Sequence, residues 1–536
     1  RRIYAQVTPK RWHAMAEVAK FAANAAQARH AQFMADVLTG KADRKQLLDG
    51  VRDRKLKDYV RLLGLYPLAK GAKCRADLIE RYNVLQEYRR YARGLSAMTK
   101  PEALRSVDIG MQNLASTAGY ADPLRLEWAL EAEQVKKLAK GPISVTKDGV
   151  TVTLGLDDDA KPELTVERSG KQLKSIPPVV KKSPEIAELA EQAKHLKRQA
   201  SRMRVSLETA MCRGDAFSGT ELGQLCRHAI LAPLLSRLVL VGEGIMGYPD
   251  KNGKALRDAS GKLEPVKQNE SLRIAHAHDL QSGGAWHDYQ RECFQAERIQ
   301  PFKQVFRELY VVSKQERRDG TVSQRYAGQQ VHPKQALALW GQRGWSSRDG
   351  VWKTFHDADL TVAVSFDFGL GSPLDIEGLT IEGVVFQRRD EIKPLALADV
   401  PPRIFSEVMR DMDLVVSVAH RGDVDPEASA STVEMRASLL RETCRLLNLT
   451  NVRIKNSHAL IDGRLGNYSV HLGSATVHRL PGGAVCIVAV PAQHRGRLFL
   501  PFADDDPRTA EVISKTILLA RDTEIQDPSI LEQLRA

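Results

Sequence analysis

His420, Arg421, Asp423 and Asp425 stand close together in this sequence of 536 residues, and their types could act on a phosphate group. A histidine can serve as general base, an arginine can clamp a phosphoryl group, and aspartates can hold Mg²⁺. They directly follow Leu414-Val415-Val416-Ser417-Val418-Ala419, an apolar run without alternation, which is the pattern of a strand covered on both faces. Beyond Asp425-Pro426 a helix is expected to open at Ser431, with Glu434 at the spacing of a capping box. Ligands of open α/β sheets gather at the carboxyl ends of strands, where helix N-termini offer free N–H groups. His471 lies on an expected strand, on the face opposite Tyr468, Val470 and Leu472, so it either faces solvent or lines a pocket. The candidate ligand-binding residues are therefore His420, Arg421, Asp423, Asp425, Ser431 and His471, and the ligand they suit contains phosphate. The competing reading carries more weight: Asp423 and Asp425 shape a turn, Arg421 pairs with them, and His420 is a satisfied hydrogen-bonder.

Other chemistry-capable groups are less well spaced. His276, His278, Asp279, His287, Asp288 and Cys293 cluster in sequence but match no standard metal-ligand set, so no metal or cofactor is expected. Asp157-Asp158-Asp159 reads as a turn, and Asp504-Asp505-Asp506-Pro507 as a helix start with Asp506 as N-cap. The six cysteines form no C-x-x-C pair, which points to a reducing, cytoplasmic setting. No P-loop, H-E-x-x-H or G-x-S-x-G pattern occurs. No apolar run is long enough to span a membrane.

The elements that must position these residues suggest an α+β, multidomain chain. Its helical N-terminal region (1–140) opens on RRIYAQVTPKRW, which reads like the middle of a domain, so a longer parent chain is expected. Helices fit 11–38, 44–63 and 74–93. A β-meander and a long helix pair are expected within 141–345. The meander alternates through Val150, Val152 and Leu154, with a turn at Asp148-Gly149. The long helix starts at Ser183-Pro184 and carries Ile186, Leu189, Ala193, Leu196, Ala200, Met203, Leu207 and Ala210 at 3–4 spacing as far as Gly214. Its partner opens at Ser218. A mixed β-rich segment (346–425) ends in the buried strand, and a mixed α/β domain (426–536) closes the chain.

Charge is unevenly distributed. Residues 1–100 hold 22 Lys and Arg against 9 Asp and Glu, a surplus equal to the +13 of the whole chain, so the rest is neutral. A nucleic-acid or other acidic partner at 1–100 follows, against the plainer alternative of a solvated helical face. Tyr82, Tyr88 and Tyr91, interleaved with Arg81, Arg89, Arg90 and Arg93, fit either base stacking or a core edge with snorkelling arginines.

Several stretches taken together resemble the MolR-like family of uncharacterised bacterial proteins, catalogued as domain of unknown function 4132. They include GKQLKSIP (170–177), LKRQASRMRVSLETAM (196–211), IAHAHDL (274–280), QPFKQVFRELY (300–310), SEVMRDMDLVVSVAH (406–420), DPEASASTVEMR (425–436), YSVHLGSATVH (468–478) and FLPFADDDPRTAEVISK (499–515). The resemblance covers roughly 150–536, and residues 1–140 are similar to the helical region preceding it in longer members. It implies a regulator rather than a defined reaction and supplies no catalytic residues. Members are often joined to WGR domains; Trp340-Gly341-Gln342-Arg343 shares those letters here without that domain's surrounding strands. The expected function is a non-catalytic regulatory or scaffold protein binding a ligand or macromolecule. The alternative is an enzyme acting on a nucleotide or phosphate ester at 420–425.

Overall fold

The computed structural model describes residues 8–535 apart from 20, 22–24, 97–98, 121, 135–137, 139–140, 158–160, 348–349, 368–377, 390, 421–428, 481–483, 486, 488–499 and 503–506. They divide into two compact units, Arg1–Glu133 with Leu337–Lys353, and Gln134–Ala336 with Thr354–Ala536.

The first unit is built from helices Pro9–Ala19, Ala25–Thr39, Arg44–Arg52, Lys57–Leu63, Lys73–Arg93, Lys100–Ala118 and Pro123–Gln134. The sequence suggests one helix over 44–63, but the chain breaks it after Arg52 and turns through Lys55 at φ 54°. Val37, Leu47, Val60, Leu63, Tyr82, Leu85, Tyr88, Met111 and Leu114 fill the core. A Cβ on Gly110 would stand 2.5 Å from the Val60 carbonyl oxygen, and one on Gly64 would collide with the Gly110 carbonyl. Helices Lys57–Leu63 and Lys100–Ala118 thus meet backbone to backbone, an approach only glycine permits. Arg81 is buried beside Asp77 and also donates to the carbonyls of Tyr66 (2.6 Å) and Pro67 (2.8 Å). Burial pushes the Asp77 carboxyl up, but Arg81, the Ala69 N–H and Arg44 together outweigh it and hold it at about 2.

The second unit is α+β, and every paired strand in it with a printed register is antiparallel. The meander forms as expected, from Ile143–Lys147, Val150–Leu156, Pro162–Arg168 and Lys171–Leu173. The long helix Pro184–Arg213 buries Ile186, Leu189, Ala193, Leu196, Met203, Leu207 and Ala210, and ends at Gly214 with φ 77°. Its expected partner does open with a reciprocal Ser218–Glu221 capping box, but it stops at Leu225, and a second short helix, Leu231–Leu235, follows. The long helix packs instead against the meander, strand Ser271–Ile274 and helix Pro402–Ala419, so the expected helix pair does not form among the described residues. A six-stranded sheet takes the order Ala216–Ser218, Ser271–Ile274, Leu240–Val241, Met246–Pro249, Ala255–Arg257, Leu263–Pro265. The C-terminal sheet runs in simple sequence order through Val452–Lys455, His458–Asp462, Asn467–His471, Val477–Leu480 and Ala484–Val485. Helices Ala430–Leu446 and Pro507–Ala520 pack on it.

Residues 414–419 are not a strand. They form the last turns of helix Pro402–Ala419, which buries Phe405, Val408, Met409, Met412, Val415, Val416 and Ala419 at 3–4 spacing. Val418 on the opposite face is 58% exposed, so the run is covered on one side only.

Candidate functional site

The helix changes what the first candidate set can do. His420 is the C-cap of helix Pro402–Ala419, where the dipole end is negative and disfavours anions. Its backbone bridges Val331, and its Nδ1 is buried with no hydrogen-bond partner among the described residues. Arg421, Asp423 and Asp425 lie outside the described residues. Ser431 does not cap the next helix. Ser429 does, accepting the Thr432 N–H at 3.2 Å, while Ser431 donates its hydroxyl to the Leu309 carbonyl at 2.7 Å. His471, half-buried, ends its strand on the face it shares with buried Ser469, opposite Tyr468 and Val470. Its Nδ1 accepts the Ser474 N–H (3.2 Å), and its ring lies 4.8 Å from that of His458. The hydrogen bonds of His471 and Ser431 share no partner, and neither involves His420.

Titratable groups converge elsewhere, in the interior of the second unit. Arg307 and Glu407, 1% and 8% exposed, form a two-pronged pair with both N···O distances 2.7 Å. Arg307 also donates to Glu208 (2.9 Å) and to the Cys212 sulfur (3.2 Å). Glu407 further accepts from His276 Nε2 at 3.0 Å. The roles on His276 follow from its other nitrogen: Nδ1 accepts the His278 N–H, so Nε2 carries the proton given to Glu407. Burial lowers the proton affinity of His276, outweighing the pull of Glu407, and the ring stays neutral. Burial also opposes charge on Glu407, but Arg307 and His276 overcome it and hold the carboxyl well below its ordinary range. Burial pushes the Cys212 thiol up, which removes the thiolate a nucleophilic cysteine needs. One layer away Glu308 takes Lys303 and Arg410, each at 3.0 Å. Tyr310 donates to Asp413 at 2.8 Å, and Thr432 donates to the same oxygen at 3.1 Å, joining helix Pro402–Ala419 to the start of Ala430–Leu446.

The metal-suggestive sequence cluster is dispersed among such ties. Asp279 accepts from Arg273 (2.7 Å), Cys293 meets Tyr248 (3.4 Å) and His287 meets Gln290 (3.0 Å). Among the described residues no group of three or more His, Cys, Asp or Glu is placed to hold a metal ion. No helix among them is long and apolar enough to cross a membrane.

The first unit presents a different surface. Its tyrosine-arginine interleaving on helix Lys73–Arg93 splits in two. Tyr82, Tyr88 and Arg81 are core residues, whereas Tyr91 is 42% exposed. The Tyr91 ring meets Tyr88 edge-on at 5.6 Å, and the Lys55 ammonium stands 5.2 Å from its centroid. Lys55 is held at its other end as well, because its carbonyl accepts the Tyr88 hydroxyl at 3.3 Å. Some acidic residues nearby are engaged by other bases, Asp77 and Glu80 by Arg44, Glu102 by Lys57 and Asp108 by Arg89, whereas exposed Asp53 and Glu87 carry no ion pair among the described residues. Exposed Arg54 and Arg90 carry no ion pair among the described residues. Arg90 and Arg93 also occupy the last helical turn, where positive charge complements the helix dipole. Sequence spacing grouped these residues but could not say which tyrosine emerges.

Comparison with known families covers the chain in pieces. Residues 170–345 match a family model described as a domain of unknown function (DUF4132), residues 433–534 match another domain of unknown function (DUF7737), and residues 1–130 match a family of unknown function (DUF5724). No curated protein and no solved structure matches the chain. The chain is thus similar, segment by segment, to three families whose functions are unknown.

Proposed function

We propose that this chain is a MolR-like, cytoplasmic regulatory or scaffold protein that binds a polyanionic macromolecule through its basic N-terminal helices without turning it over. The carrying observation is the charge distribution: residues 1–100 hold the entire surplus of +13, and Arg54, Lys55 and Arg90 stay outside ion pairs among the described residues. The interior clusters of the second unit support the same reading, because their charges neutralise one another. Binding to labelled heparin by the full chain should be tight at low salt and weaken steeply as salt rises. Substituting Arg54→Gln and Arg90→Gln together should weaken it at every salt concentration. A protein indifferent at low salt to heparin and to nucleic acid alike would sink the proposal. One observation favours the second reading, an enzyme acting on a nucleotide or phosphate ester at His420, Arg421, Asp423 and Asp425: His420 keeps a buried ring nitrogen without a described partner. In that case nucleotides, not heparin, would raise the melting temperature.

A further inference from the structure

We infer that the polyanion taken at the N-terminal helices is a single-stranded nucleic acid, with Tyr91 as the platform on which a base stacks. The inference rests on the polyanion reading above and deepens it. Surplus positive charge alone would suit duplex nucleic acid, an acidic protein or a single strand equally. Tyr91 separates these. It is a large aromatic ring, 42% exposed, on a helix whose other two tyrosines, Tyr82 and Tyr88, are almost fully buried. Its position is fixed: Tyr88 abuts it edge-on, and the Lys55 ammonium sits against the ring. The Tyr88 hydroxyl in turn holds the Lys55 carbonyl, so this one side chain braces both partners. A ring held in this way loses little freedom when a base is laid on it.

The base faces of a duplex are already stacked inside the helix, so an exposed tyrosine gains nothing from them. The carboxylates of an acidic protein use the cations and gain nothing from the electron-rich face of the ring. An unpaired base has a free π-face, and its flanking phosphates fall within the class of group that Arg54 and Arg90, outside any ion pair among the described residues, attract. The pairing of aromatic platform and unneutralised cations is the arrangement that single strands recognise irrespective of sequence.

The test uses the full chain and three labelled probes at one fixed salt concentration: a mixed-sequence single-stranded oligonucleotide, the same sequence as a duplex, and heparin. Wild type should bind the single strand more tightly than the duplex. Tyr91→Ala should weaken single-strand binding about 5- to 100-fold, the scale of one lost base stack. Duplex and heparin binding should stay within about twofold, and Tyr91→Phe should retain the single-strand preference. If heparin binds but Tyr91→Ala affects all probes equally or none, the stacking inference is overturned while the polyanion reading stands. A preference for duplex over single strand overturns it as well. If wild type binds none of the three, the polyanion reading itself falls.

Discussion

Substituting Glu407→Ala would strip Arg307 of both 2.7 Å bonds while leaving its guanidinium 1% exposed. The cation would retain Glu208 at 2.9 Å and the Lys303 carbonyl at 3.2 Å. Glu208 is 36% exposed, so solvent screens it and it offsets only roughly 1 kcal/mol. Breaking a buried pair from one side costs about 3–5 kcal/mol. The net loss should therefore be about 3 kcal/mol, read as a lower urea midpoint for the second unit. The double variant Arg307→Met/Glu407→Leu should recover part of that loss, ending about 1–3 kcal/mol below wild type, because an apolar pair needs no counter-charge but leaves the buried His276 Nε2–H without its acceptor. A single variant that loses less than about 1 kcal/mol, or a double variant no better than the single, would refute the assignment of bare charge as the cause. The same pair has a pH signature. The Glu407 carboxyl is held below its unfolded value, so its contribution is complete above about pH 4.3 and is lost as pH falls through the window beneath it.

Gly110→Ala tests the backbone contact in the first unit. Helix propensity alone would make the change stabilising by about 1 kcal/mol, whereas a Cβ 2.5 Å from the Val60 carbonyl should make it destabilising by about 1–3 kcal/mol; a raised melting temperature would contradict the contact. His458 is shifted down, first by burial and then by His471 and His478, so its folded value lies below the unfolded one. The contribution should be complete above about pH 6.5 and be lost as pH drops from there through the lower folded value; His458→Gln should flatten part of the slope, the remainder belonging to His276, which shifts the same way. An unchanged slope in that variant would remove His458 from the account.

The meander and the long helix were legible because local pattern and local structure agree. Val150, Val152 and Leu154 alternate and are buried, and the 3–4 seam from Ile186 to Ala210 is the buried face. The run 414–419 misled because four of its six residues, Leu414, Val415, Val416 and Val418, are large and apolar, and two successive ones fall on the buried face. The longer view held the right signal: Pro402 at the first turn, then Phe405, Val408, Met409, Met412, Val415, Val416 and Ala419 at helical spacing. Short windows favour a strand there and an eighteen-residue window favours a helix. The interior charges were illegible for another reason. Cys212, His276, Arg307 and Glu407 are scattered over almost two hundred positions, and sequence offers no measure of what meets across such separations. The tyrosines were legible as a group and not one by one, since a single turn of helix separates buried Tyr88 from exposed Tyr91.

The scatter of those four residues bears on how divisible the second unit is. Glu407 receives its donors from three partners, 100, 131 and 195 positions earlier in the chain. Until all of them arrive, each charge is better off in water, and gathering them closes long loops at a cost in chain entropy. Any fragment boundary placed between Cys212 and Glu407 would part some of these groups from the others and leave them dry and unanswered. The ion pair thus works as an indivisibility condition: strands and helices that look like separable modules along the chain are bound to fold, and to unfold, as one.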